Sequence, residues 1–228
     1  GSVFAVATTV SYIIWILEDS VWNAWLPWMY EKISIGESHD ICNSWSVLMH
    51  GFGVISWALV LFAPEIILLL GGHKYADAVY LVAPMVTGTL FRFYSYSYTA
   101  IQNYHKKTAS VAASTVSVMF LNVILNYLGI LWFGYQAAAY TTAFSYMALM
   151  VIQAFMEKRL TGEQLIPLSK TLLISCSYFA VCVVTMVTYR LPACVRYLLA
   201  MIAFPTGAWY FLPRVKPILK MMKKKKKL

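Results

Sequence analysis

Of the chain's 228 residues, 61% are hydrophobic and 12% charged, and mean hydropathy is +0.67. A soluble domain carries roughly 25% charged residues, so this composition excludes an ordinary soluble globule and indicates a membrane protein. The formal charge of +9 sits in short segments between apolar runs and in one tail, which argues against a nucleic-acid partner and for a role in orienting the chain in lipid.

Crossing a bilayer takes about 20 apolar residues, and the chain divides into seven runs of that order. The first, near 3–25, is expected to stop at Pro27, which costs a helix interior one backbone hydrogen bond; it carries Glu18 and Asp19. A polar segment over 30–44 precedes the second run, 46–70, whose end Pro64 should kink and Gly71-Gly72 should terminate. The third, 80–104, follows a turn holding His73, Lys74 and Asp77 and closes at His105-Lys106-Lys107. In the fourth, 109–132, Asn122 and Asn126 lie four apart and so share a helical face. The fifth, 136–156, is rich in small residues (Ala137, Ala138, Ala139, Thr141, Thr142, Ala143, Ser145), the type that lets helix backbones approach closely in lipid. After a linker over 157–170 come the sixth run, 171–189, and the seventh, 195–212, which Pro205 and Gly207 should tilt or break. The fold class is therefore all-α and polytopic, with residues 1–213 forming one transmembrane lobe and 214–228 a basic cytoplasmic tail.

The distribution of positive charge tests the count. With seven crossings and the tail inside, fourteen of the 18 Lys and Arg face the cytoplasm, while Lys74, Arg190 and Arg196 face outward and Arg92 stays within the membrane. Six crossings would scramble this asymmetry, so the chain is expected to enter from outside and end inside. Trp and Tyr near helix ends, Trp25, Trp28, Trp45 and Tyr127 among them, read as interface belts. Cys42, Cys176, Cys182 and Cys194 have no metal-ligand spacing, and Cys176 and Cys182 read as inert core thiols.

Three stretches carry a resemblance. Phe62-Ala63-Pro64-Glu65-Ile66-Ile67 leading to Gly71-Gly72, Tyr75 and Ala78 is similar to a segment of the flippases that move lipid-linked sugar repeat units across bacterial inner membranes. Leu121-Asn122-Val123-Ile124-Leu125-Asn126-Tyr127, with Phe133-Gly134-Tyr135-Gln136 after it, looks like the same group, and so does Ala24-Trp25-Leu26-Pro27-Trp28-Met29-Tyr30. Together they span roughly residues 1–158 in family order. The chain thus resembles O-antigen-type polysaccharide flippases of the superfamily that also holds the multidrug exporters. The resemblance implies a C-terminal lobe, its N-terminal lobe missing, of a two-lobed alternating-access transporter in the bacterial inner membrane. The implied cargo is an undecaprenyl-pyrophosphate-linked oligosaccharide, with membrane lipids as the other partners and no cofactor. Other readings stay open on sequence alone: a multidrug or peptidoglycan-precursor exporter, a membrane-embedded glycan polymerase or ligase, or an inactive truncated remnant. No Walker loop, nucleophile elbow or HExxH occurs, so the chain is not read as an enzyme.

Arg92, at the midpoint of the third run, is the sharpest candidate, because a mid-bilayer guanidinium costs several kcal/mol by insertion scales. It shares a helical stripe with Tyr96, Thr99 and Asn103. Two roles fit it. Its planar fork matches phosphate oxygens, so it suits a cavity receiving a pyrophosphate; equally, it is within reach of Glu18 or Asp19 in a buried pair. Asn122 and Asn126 read first as interhelical hydrogen-bond partners and second as cavity residues.

Overall fold

The computed structural model describes residues 2–162, 164–201, 205 and 213. Its helices are α1 (Ser2–Ser34), α2 (Ser38–Leu61), α3 (Ala63–Gly71), α4 (Val79–Tyr104), α5 (Thr108–Phe133), α6 (Ala137–Thr161) and α7 (Leu168–Val187), and no strand occurs among the described residues. Residues 193–201 are helical again, the start of the seventh expected run. The rest of that run, apart from Pro205, and the tail over 214–228, lie outside the described residues.

Two prolines behave differently from the sequence expectation. Pro27 lies inside α1, which continues to Ser34 instead of stopping near Trp25. Trp25 and Met29 flank it and are both buried, so packing on either side offsets the one hydrogen bond that proline forfeits. Pro64 does more than kink an end. It occupies the first turn of a separate helix, α3, after a break at Phe62 (φ −95°, ψ 11°). Proline is pre-organised for that position because its missing N–H would have no intrahelical partner there. The expected run 46–70 is thus two helices.

Among the described residues five helices are long and apolar enough to cross a membrane: Val3–Ser34, His39–Leu61, Thr108–Phe133, Ala137–Thr161 and Leu168–Arg190. Their number falls short of the expected seven partly because α4, 26 residues long, is too rich in Tyr, Ser and Thr to join them. Its position explains its polarity. Eighteen of the residues of α4 are buried, against two in α5, and it packs against α1, α2, α6 and α7. A helix enclosed by other helices needs partners for its polar groups rather than a lipid-matching surface. Tyr94 Oη donates to the Met49 carbonyl at 2.7 Å and Tyr98 Oη to Thr171 Oγ1 at 2.7 Å, while Gln102 Nε2 reaches Gln153 Oε1 at 2.7 Å. The helix α5 is its opposite, outermost and covered with exposed Phe120, Val123, Ile124 and Leu131.

Pairwise contacts give the direction of each helix. Thr8 meets Met85 and Asp19 meets Tyr96, a constant offset that makes α1 and α4 parallel. His50 meets Tyr178 and Trp57 donates to Thr185, so α2 and α7 are parallel too. Tyr98 meets Thr171 whereas Phe91 meets Phe179, which sets α7 against α4. The long helices consequently alternate in direction along the chain.

Small residues of α6 do bring helices together. A Cβ on Gly88 would stand 3.2 Å from Ala143 Cα, and one on Gly129 would stand 3.1 Å from Thr141 Cγ2 and 3.2 Å from Ala137 Cβ. The close approaches therefore fall on Ala143 toward α4 and on Ala137 and Thr141 toward α5, because those faces point at glycines. Two further readings are corrected. Trp25 and Trp45 belong to the core and not to an interface belt: their rings lie 4.8 Å apart, and Trp45 sits 5.0 Å from Phe93. Cys182 is buried, but Cys176 is exposed on α7.

Candidate functional site

From Met85 to Asn103, the residues of α4 that escape full burial are Met85, Thr89, Arg92, Tyr96, Thr99 and Asn103. Their spacing alternates between four and three, one face of a 3.6-residue helix. The polar stripe read from the sequence is thus the open face of the most enclosed helix. It extends one turn further toward the N-terminus, to Thr89 and Met85.

Arg92 lies between both acidic candidates. Its Nη2 is 3.6 Å from Glu18 Oε2 and 3.6 Å from Asp19 Oδ1. The Glu18 side chain is 0% exposed, that of Arg92 13% and that of Asp19 43%, so the pair runs from the bundle interior to the open face. At this separation the attraction is Coulombic, without a hydrogen bond. Both Glu18 oxygens and Arg92 Nη2 are buried atoms with no hydrogen-bond partner among the described residues. The flat faces of the guanidinium meet aromatic rings, with Cζ 4.5 Å from the centroid of Trp15 and 5.2 Å from that of Tyr96. Tyr96 Oη in turn donates to Asp19 Oδ1 at 3.3 Å. Cation–π contact of this kind is worth about 2 kcal/mol when desolvated. It holds the arginine beside the two carboxylates.

Beside this cluster is a cavity of about 280 Å³ between α1, α4 and α6. Arg92, Thr89 and Met85 supply its floor, Trp15 and Thr8 one wall, and Thr142 and Tyr146 the other. A second hollow of about 200 Å³, between α5 and α6, shares Thr142 and Tyr146 with it and is lined by Asn122.

The remaining candidates divide. Thr99 Oγ1 donates to the Ser95 carbonyl within its own helix at 3.1 Å, and Asn103 stands exposed at the end of the stripe. Asn122 Nδ2 donates to Ser145 Oγ at 3.1 Å, Asn126 Nδ2 donates to Asn122 Oδ1 at 2.9 Å, and Thr141 Oγ1 donates to Asn126 Oδ1. This chain ties α5 to α6, the interhelical role, and Asn122 also lines the second hollow. Sequence reasoning missed Trp15, Thr142 and Tyr146. Trp15 was within reach of the same logic, since it precedes Asp19 by one helical turn and so shares its face. The wall from α6 carried no such signal, because nothing in the chain says which face of α6 meets α4.

Among the described residues the protein is all-helical, with one arginine, shared by two carboxylates, on the rim of a half-open cavity. No family model matches the chain, and neither curated proteins nor solved structures yield a match.

Proposed function

We propose that the chain is a multi-pass membrane protein forming most of one lobe of an alternating-access transporter. Its cargo would be lipid-linked oligosaccharides, whose pyrophosphate Arg92 receives. The observation that carries this reading is the open stripe of α4: a helix buried on its other faces turns Met85, Thr89 and Arg92 toward a cavity. Enclosing a helix for stability alone leaves no reason to keep a polar stripe with an arginine open at mid-length, where charge is costly. The resemblance of three segments to polysaccharide flippases supplies the cargo, and the bacterial inner membrane as its place.

Topology follows from the alternation of helices. Lys32, Lys106, Lys107, Lys158, Arg159 and Lys170 gather at one end of the bundle, and Lys74, Arg190 and Arg196 at the other. The richer end is cytoplasmic by the positive-inside rule. In a variant with the native cysteines replaced by serine, single cysteines at Lys74 and Arg190 should react with an impermeant maleimide from outside intact cells. Cysteines at Lys106 and Lys158 should react only after permeabilisation, and outside labelling at Lys106 would overturn the arrangement.

The cargo reading is tested in the complete transporter by Arg92→Lys, which keeps the charge and loses the planar fork. Surface-polysaccharide export should fall about tenfold or more while protein abundance holds, the loss of about one charge-assisted hydrogen bond. Normal export by this variant would sink the reading, as would an export loss that tracks protein level.

A further inference from the structure

Glu18 is the most exceptional polar group in the molecule. Its side chain is 0% exposed, neither oxygen accepts a hydrogen bond, and the guanidinium it faces is divided with Asp19. An ionised carboxylate taken out of water needs a close, well-bonded cation to repay its desolvation. Here the cation is 3.6 Å away and serves a second carboxylate. With both acids ionised the cluster carries one net negative charge, which would repel an anion from the cavity next to it. With a proton on Glu18 the cluster is neutral, Glu18 no longer holds Arg92, and Nη2 can turn to a ligand.

We propose that Glu18 is a proton site coupled to the anion site at Arg92, so that the chain takes up one proton when an anionic headgroup enters the cavity and gives it back when the headgroup leaves. No covalent bond other than the O–H of Glu18 forms or breaks; Glu18 is shut off from water while Arg92 faces it, so the proton comes from solvent and returns to it as Arg92 turns away. The groups facing Glu18 fit this exchange. From α1 comes Asp19, and from α4 come Arg92, Tyr96 and Tyr94. The tyrosines stay neutral hydroxyls at physiological pH, and α2 turns the indole of Trp45 to this part of α1, against Trp22. Glu18 is therefore the group whose charge can change. Asp19, 43% exposed and 3.6 Å from the same Nη2, keeps Arg92 in place when the cavity is vacant. This inference rests on the anion reading of Arg92 given above and adds the step that drives it.

Geranyl pyrophosphate, with geraniol as the control for tail binding, tests the coupling on the whole chain in lipid nanodiscs. Binding to the wild type should weaken from about pH 6 to about pH 8 more steeply than binding to Glu18→Gln, by up to about tenfold per pH unit, since one linked proton contributes that slope. The probe's own titration is common to both proteins and cancels in the comparison. Arg92→Gln should lose binding at every pH. Adding the probe to lightly buffered wild type should also draw protons from solution in excess of those drawn with Arg92→Gln, a reading that does not depend on how Glu18→Gln folds. If wild type and Glu18→Gln bind with the same pH profile and no excess uptake occurs, the proton coupling is wrong and the anion site stands. If the folded wild type prefers the pyrophosphate over geraniol at no pH, the anion site itself is wrong and the coupling falls with it.

Discussion

Arg92→Ala should destabilise the protein by about 3–5 kcal/mol, the cost of leaving a buried carboxylate without its cation. The size follows from the asymmetry of the cluster: Glu18 is 0% exposed and cannot reach water, while Asp19, at 43%, can. Adding Glu18→Gln to Arg92→Ala should recover most of the loss, because the amide carries no charge to strand, and adding Asp19→Asn should recover little. Unfolding by denaturing detergent, followed by circular dichroism for the four chains in one lipid–detergent mixture, reads the difference. Equal recovery by both second substitutions would mean that Glu18 and Asp19 share one environment, contrary to their burial. An unchanged Arg92→Ala would mean that the ion pair contributes nothing to the fold.

The second large effect is expected at the α4–α6 seam. An ideal Cβ on Gly88 would lie 3.2 Å from Ala143 Cα and 3.5 Å from Ala143 Cβ, and a backbone atom cannot move aside as a side chain can. Gly88→Ala asks the helices to part by a few tenths of an ångström. Gly88→Leu asks for far more and should cost about 3 kcal/mol, the upper end of overpacking. Thr142→Leu, one residue before Ala143, turns into the cavity instead and should change stability by less than about 1 kcal/mol while filling the space beside Arg92. Melting temperatures in detergent distinguish the two, and a Thr142→Leu chain that melts as early as Gly88→Leu would place the seam on the wrong face of α6.

How much of the site could be read beforehand depends on whether its residues share a helix. Arg92, Tyr96, Thr99 and Asn103 were legible as one stripe because helical period alone aligns them, and the burial pattern of α4 follows the same period. The partnership of Arg92 with Glu18 and Asp19 was one of two readings, and the structure contains both features: a paired arginine that also borders a cavity. Thr142 and Tyr146 were not legible as its opposite wall. Their apposition is set by Gly88 meeting Ala143, a contact across 55 residues that no local pattern encodes.

The apolar runs by themselves determined that the described chain is helical, since a long run that must satisfy its backbone polar groups within the segment has no alternative to helix. Tertiary packing decided what local rules could not. It carried α1 through Pro27, because buried Trp25 and Met29 on either side outweigh one lost hydrogen bond. It divided the second run at Phe62, where Pro64 opens a new first turn. Above all it chose α4 as the enclosed helix. A sequence rich in Tyr, Ser and Thr is costly against lipid and well suited among neighbours that supply partners, and only the arrangement of those neighbours left the Arg92 face open.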